Sequence, residues 1–333
     1  MLQSLTVQQR DALIRFKRET VMFPQFQSAY ASVRDALALF RASGLIQSHL
    51  LLGASGCGKS TLCKMILAEN PSFEEPERTV VPVLYVRVPA LATVYSLAET
   101  LLVALGDPAP YSGNATAKTH RLITLILACG VQMIILDEMQ HIHDRGQSPT
   151  VYRVADWIKS LADAVGIPFV IAGLPRTTAL IETNEQLRRR FSATLPLDRM
   201  GFTGDRQIAD FASTVASLVK AMPVKSAFSI DDMEAIERIH YASDGRIGYL
   251  VSLLLRSLTI AYAIDQHVVD LAILEQAFEA EIWRDGVNAL NPFSKKFCNR
   301  RLDRIGEPFS NASQPIKKRK ADLHKGAPDE ILS

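Results

Sequence analysis

The chain has 333 residues, 48% of them hydrophobic and 22% charged, with a formal net charge of +2. That length fits one large α/β domain with a smaller attachment, and the apolar fraction is enough for a sizeable core. The near-balanced charge excludes a global field of the kind that marks a nucleic-acid binder, so any such surface must come from a local arrangement.

Residues 1–45 read as helical, with apolar positions at helical spacing (Leu13, Ile14, Phe16, then Val33, Leu37, Phe40) and a break at Phe23-Pro24. His49 to Leu52 is a short apolar run before glycine, hence a buried strand, and Lys59 to Glu69 a helix. Val81 to Val88 is a second strand, rich in β-branched residues. Leu91 to Leu105 and His120 to Cys129 read as helices, separated by a polar loop over Ala109 to Ala115. Val131 to Leu136 is a strand that stops at two carboxylates. A helix over Val151 to Val165, a strand over Pro168 to Ala172, a helix over Leu180 to Arg190 and a strand over Ala193 to Leu197 follow.

Alternating strands and helices predict a parallel sheet covered on both faces. After residue 205 the strands disappear. Helices are expected over Ile208–Ala221, Ile230–Ala242, Ile247–Gln266 and Leu271–Asp285. The expected organisation is a helical segment (1–45), an α/β nucleotide-binding core (46–204), an all-α lid (205–290) and a flexible basic tail (291–333) containing Lys317–Lys320.

Gly53-Ala54-Ser55-Gly56-Cys57-Gly58-Lys59-Ser60, followed by Thr61, fits the phosphate-loop pattern between a strand and a helix. Its glycines let backbone N–H groups turn toward phosphate oxygens, and the helix presents its positive end to the same anion. Lys59 is expected on the β- and γ-phosphates of ATP and Ser60 on Mg²⁺. Met133 to Leu136 delivers Asp137 and Glu138 to the strand end where ligands of such sheets bind. Asp137 is expected in the metal shell, and Glu138 as the group that orients and deprotonates the attacking water. A solvated loop is the plainer reading of such an acidic pair.

Arg188, Arg189 and Arg190 end a helix just before Phe191. They are either a solvated basic helix end or an arginine supplied across a subunit interface to a neighbour's γ-phosphate. Arg246, in Gly245-Arg246-Ile247-Gly248, is either a surface arginine or a reporter of the bound nucleotide.

The four cysteines, Cys57, Cys63, Cys129 and Cys298, have no metal-ligand spacing, and two flank the phosphate loop. They indicate a reducing, cytoplasmic setting, and the N-terminus lacks a secretory pattern. Leu250 to Ile264 is the most apolar stretch, but Arg256 interrupts it and it is too short to span a bilayer.

Over about residues 20–285 the chain resembles AAA+ ATPases and, among them, the transposition regulators TnsC and TniB. The resemblance rests on Phe23-Pro24, the GASGCGKST loop, Ile135 to Ile142 (ILDEMQHI), Ala172 to Pro175 (AGLP), Gln186 to Phe191 (QLRRRF) and Ser243 to Gly248 (SDGRIG). It implies assembly on double-stranded DNA as ATP-bound hexameric or heptameric rings or helical filaments. It further implies a link between a target-selection module, a TniQ-type adaptor or a CRISPR effector, and a TnsA/TnsB-type transposase, with hydrolysis driving release.

The arginine finger carries over onto Arg190, with Arg189 next, and the lid sensor onto Arg246. The sensor position after the fourth core strand departs from the pattern: Gly173-Leu174-Pro175 stands there, with Thr177 or Thr178 as substitutes. By the same resemblance DNA contacts fall between the second and third core strands. Lys118, Thr119, His120 and Arg121 are the candidates there, an ordinary helix start being the alternative. The tail at Lys317–Lys320 either touches DNA, docks on a transposase or is a solvated charge run. Other classes that fit the loop are a replication-initiator or helicase-loader relative and a P-loop phosphotransferase.

Overall fold

The computed structural model describes residues 5–90, 92–145, 148–182, 185–191, 193–229 and 231–310; Lys317–Lys320 lies outside them. α1 (Val7–Arg18) starts at a capping box in which the Thr6 hydroxyl accepts from Gln9 N–H and the Gln9 side chain accepts from Thr6 N–H. α2 (Pro24–Ser43) begins on proline, whose missing N–H costs nothing in a first turn, and stops at Gly44 in the left-handed region. The expected break at Phe23-Pro24 is the α1–α2 joint.

Next come β1 (His49–Leu52), α3 (Lys59–Glu69), a hairpin of β2 (Phe73–Glu75) and β3 (Arg78–Val80), β4 (Val83–Arg87), α4 (Val94–Ala104), α5 (Ala115–Ala128) and β5 (Met133–Asp137). Then follow α6 (Gln140–Arg145), α7 (Ser148–Val165), β6 (Phe169–Gly173), a 3-10 turn at Pro175–Thr177, α8 (Thr178–Glu182), α9 (Glu185–Arg190) and β7 (Ala193–Pro196). The hairpin was not legible because its strands are mostly exposed and polar. α5 starts five residues earlier than expected, because the Asn114 side chain caps Ala117 N–H.

The main sheet is parallel throughout, in the order β4-β5-β6-β1-β7. Its central strands are buried on both faces, which is why they read as continuous apolar runs. Alternate residues face opposite layers. Ile134, Leu136, Leu84 and Ile171 pack toward α4, α5 and α7. Met133, Ile135, Leu51 and Val170 pack toward α2 and α3 and join the C-terminal core. Each such Leu or Ile buried contributes about 1.5–3 kcal/mol.

The C-terminal region holds α10 (Gly204–Ala221), β8 (Lys225–Ser226), α11 (Met233–Ser243), α12 (Ile247–Ala263), β9 (Val268–Val269) and α13 (Leu271–Ala277), with a π-helical turn over Phe278–Ile282. It is not purely helical: β8 and β9 form a short parallel pair.

The expectation of a flexible tail from residue 291 fails for 291–310. Phe293, Phe297, Leu302 and Phe309 are buried against the helical core. Asn291 donates to the Glu275 carbonyl at 3.1 Å, and Arg238 donates to the carbonyls of Pro292 and Ser294. These anchors have no helical or strand spacing, so periodicity could not register them.

Candidate nucleotide site

The phosphate loop follows β1 at the C-terminal edge of the sheet. Gly58 takes φ 97° as the N-cap of α3, a conformation that leaves the first-turn N–H groups unobstructed. Cys57 is buried, and burial pushes its thiol up to about 11, so it stays neutral beside the loop. Lys59 is largely buried and donates from Nζ to the carbonyls of Gly53 and Ala54 at 2.8 and 2.9 Å. Burial lowers its ammonium pKa from the ordinary value, against the pull of Glu138 and Asp137. Ser60 and Thr61 sit in the first turn of α3 and line the same cleft as Lys59.

β6 is the parallel neighbour of the loop strand and β5 the next strand beyond it, so Asp137 and Glu138 reach the same C-terminal edge of the sheet as the loop. Asp137 is 1% exposed; its carboxylate accepts from Tyr85 Oη at 3.0 Å and from Glu138 N–H at 2.8 Å. Burial, and after it the Asp137 charge, raises the Tyr85 pKa, so the phenol remains a donor. Glu138 has φ 60°, unusual for a residue with a side chain. Its carboxylate accepts from the Gln140 amide and, at 3.4 Å, from Arg87.

The cleft has a volume of about 770 Å³. Its lining combines the polar side chains of Lys59, Ser60, Glu138 and Gln140 with the apolar ones of Val21, Phe23, Phe26, Met65, Ile247 and Val251. The α1–α2 joint thus supplies a wall, with Lys17 and Arg18 at its rim.

The start of α12 supplies the opposite wall, where Gly248 N–H donates to the Gly56 carbonyl at 2.7 Å. Arg246 precedes this contact and is bound to Asp244 at 3.1 Å. Asp244 also takes Arg301 at 2.5 Å and Arg199 at 3.5 Å. Phe309 lies 5.8 Å from the Arg246 guanidinium, so the segment expected as a loose tail covers this arginine.

A Mg²⁺ ion fits the donor set near Ser60 and Asp137, a hydroxyl and one carboxylate, because that ion keeps several waters and takes few protein oxygens. Among the described residues no cluster of three or more His, Cys, Asp or Glu exists to hold a metal by itself.

The other expected residues lie elsewhere. Arg190 pairs with Asp163 of α7 at 2.7 Å, while Arg189 is 76% exposed and pairs with Glu185 one turn back. Arg188 is exposed. The proposed DNA set is corrected. Lys118 is fully buried, pairs with Glu99 at 2.8 Å, donates to the Pro110 carbonyl and lies over the Tyr95 ring. The Thr119 hydroxyl donates to the Ala115 carbonyl and accepts from the Trp157 indole. Arg121 pairs with Asp107 at 2.5 Å. These side chains tie α5 to its own neighbours and do not present a cationic face. His120 alone of the four is exposed.

Sequence reading missed Tyr85, Arg87 and Gln140. Gln140 belonged to a quoted motif but carried no role. Tyr85 and Arg87 come from a strand distant in sequence, where only the register Arg87 opposite Asp137 reveals them.

A family model described as bacterial TniB protein matches residues 11–199. No curated protein matches the chain. Solved structures that resemble it include the ORC2 protein of Aeropyrum pernix in ADPNP–ADP complexes, at 16% identity and TM-score 0.57, over 80% of this chain and 71% of that one. The ORC1 protein of the same organism in complex with DNA gives 16% and 0.58, over 80% and 68%. Cdc6p from Pyrobaculum aerophilum gives 13% and 0.59, over 78% and 67%. At these identities the likeness establishes the fold, which is that of AAA+ proteins. With the family model covering more than half of its length, the chain belongs to the bacterial TniB family.

Proposed function

We propose that this chain is an ATP-hydrolysing regulator of DNA transposition. It assembles on double-stranded DNA and connects a TniQ-type or CRISPR-type target selector to a TnsA/TnsB-type transposase. One observation carries the reading: the loop, Lys59 and Glu138 line a single cleft with apolar side chains, and Asp137 precedes Glu138 at the end of β5, in a TniB-family chain. A triphosphate lies along the loop N–H groups and the α3 N-terminus, with the base among Val21, Phe23 and Val251. Lys59 leaves the two loop carbonyls for the β- and γ-phosphates. Ser60 and Asp137 would hold a Mg²⁺ ion, which when bound would neutralise charge on the transferring phosphoryl group. Glu138 takes a proton from water as the new P–O bond forms. The bond to ADP breaks, its electron pair leaving on the β-phosphate oxygen.

A neighbour's Arg190 or Arg189 and the same chain's Arg246 complete the charge around the γ-phosphate, so nucleotide joins protomers and hydrolysis releases them. Arg190 must leave Asp163, and Arg246 must leave Asp244, to do so.

Phosphate release measured with and without duplex DNA, together with electron microscopy in a non-hydrolysable analogue, tests this. DNA-stimulated release and nucleotide-dependent rings or filaments are expected. Only monomers under every nucleotide would sink the assembly reading. The fold likeness to the ORC and Cdc6 proteins favours a second reading, a replication-initiator-like ATPase. Transposition assays with and without the chain separate the two, because that reading predicts no effect. Phosphate transfer to an acceptor other than water would instead identify a phosphotransferase.

A further inference from the structure

We infer that Gln140 is the positioning residue for Glu138 and replaces the polar side chain that residue 173 lacks; this rests on the hydrolysis reading above. Gln140 is 5% exposed and stands between the two strand ends at the cleft. Its Oε1 accepts the Leu174 N–H at 3.2 Å. A backbone N–H has only a proton to offer, so this bond fixes which end of the amide faces which way. The Nε2 end is turned to Glu138 and donates to its carboxylate. A donor with its orientation locked by the residue after β6 therefore holds the carboxylate of the residue after β5.

Glycine at 173 is a steric consequence of the same arrangement. A Cβ there would lie 2.3 Å from Thr177 Oγ1 and 3.0 Å from Gln140 Oε1. The Thr177 hydroxyl leaves no room for a side chain at that position, and Gln140 Oε1 crowds it from the other side. Thr177 is fully buried with its hydroxyl unpartnered, which adds a polar atom facing the same spot. Thr178 is not the substitute, because its hydroxyl is spent on the Pro175 carbonyl.

Glu138 needs such a hold. Its backbone sits at φ 60°, and the other ties to its carboxylate come from Arg87, which is 69% exposed. A buried, singly oriented amide is the more rigid of the two. Small displacements of a catalytic group cost about a hundredfold in rate.

The test compares Gln140→Glu and Gln140→Met with the parent in the full chain. Glu keeps the length and the acceptor for Leu174 N–H but replaces the donor with a second carboxylate beside Glu138. Met keeps the volume and loses both bonds. We expect turnover to fall tenfold or more in both, with ATP affinity by fluorescent-analogue titration within about threefold of the parent and KM little changed. Restoration of the amide by reverting to Gln in the same preparation scheme returns the rate. Turnover within twofold of the parent in the Glu variant, with a normal melting temperature, would overturn the proposal; so would a loss of affinity equal to the loss of rate in both variants. A parent that binds ATP and releases no phosphate would overturn the hydrolysis reading and the proposal with it.

Discussion

Asp244 gathers three arginines at the base of the lid, and replacing it with asparagine isolates the effect of its charge. Asparagine tolerates the left-handed backbone that Asp244 adopts at φ 52°, so no strain is added. The carboxylate is 1% exposed and accepts from Arg301 at 2.5 and 2.8 Å and from Arg246 at 3.1 Å, with Arg199 at 3.5 Å. Arg301 and Arg199 are 36% and 42% exposed and can turn to water; Arg246 is 12% exposed and cannot. The cost is therefore mainly that of one buried guanidinium losing its counter-charge, about 3 kcal/mol. With a urea slope of about 3 kcal/mol per M, the unfolding midpoint drops by roughly 1 M.

Trp283 packs against the lid core and Trp157 against the other face of the sheet. Fluorescence of Trp283 in a Trp157→Phe background thus reports the lid. Asp244→Asn also leaves Arg246 free to meet an anion, so ATP binds several-fold tighter while the lid is less stable. An unchanged midpoint would refute Asp244 as the counter-charge. Weaker ATP binding in a lid that remains folded would refute a nucleotide-facing role for Arg246.

Glu138→Gln should retain ATP binding and lower phosphate release by about a hundredfold or more, seen by comparing analogue titration with single-turnover hydrolysis. Lys118→Met should lower the melting temperature while leaving DNA affinity and its salt slope unchanged, measured by anisotropy on labelled duplex, since Lys118 is buried. An Arg190→Ala protein mixed with a Lys59→Ala protein should regain activity that neither has alone if the finger acts across subunits; no recovery in mixed assemblies would place the arginine's role within its own chain. Burial lowers the pKa of His49 and His240 below the ordinary 6.5. Unfolded chain then binds protons first, so their stabilising effect is fully present above pH 6.5 and is lost as pH falls below it, by up to about 1.4 kcal/mol per pH unit for each. A His49→Gln, His240→Gln double variant should show a flatter dependence of unfolding midpoint on pH.

β1, α3 and the Gly53–Ser60 loop were legible because local chemistry specifies them. An apolar run, a glycine series and a helix start follow one another between His49 and Ser60, and no distant partner is needed to read them. Asp137 and Glu138 were legible for a similar reason, at the end of an apolar strand. Arg190 and Arg246 were candidates from their local sequence, and family likeness gave them the finger and sensor roles, but the side chains they contact, Asp163 and Asp244, appear only in the folded chain.

Lys118 shows the opposite case. A basic and hydroxyl-bearing helix start looks the same in sequence whether its cation faces DNA or Glu99. Only packing of α4 against α5 decides, and it buries the cation. The segment 291–310 was misread because its aromatic anchors are irregularly spaced, and their burial depends on grooves made by α11, α12 and α13.

The sequence by itself determined that a phosphate loop and an acidic strand end exist, because each is a contiguous pattern with its own backbone requirements. The tertiary structure decided what stands around them. Strand register sets Arg87 opposite Asp137, Leu174 N–H at the end of β6 turns the Gln140 amide toward Glu138, Arg301 joins the lid arginine on Asp244, and Phe309 lies against that arginine. Those relations join residues far apart in the chain, and hydrogen-bond geometry and burial arise only when the fold brings them together.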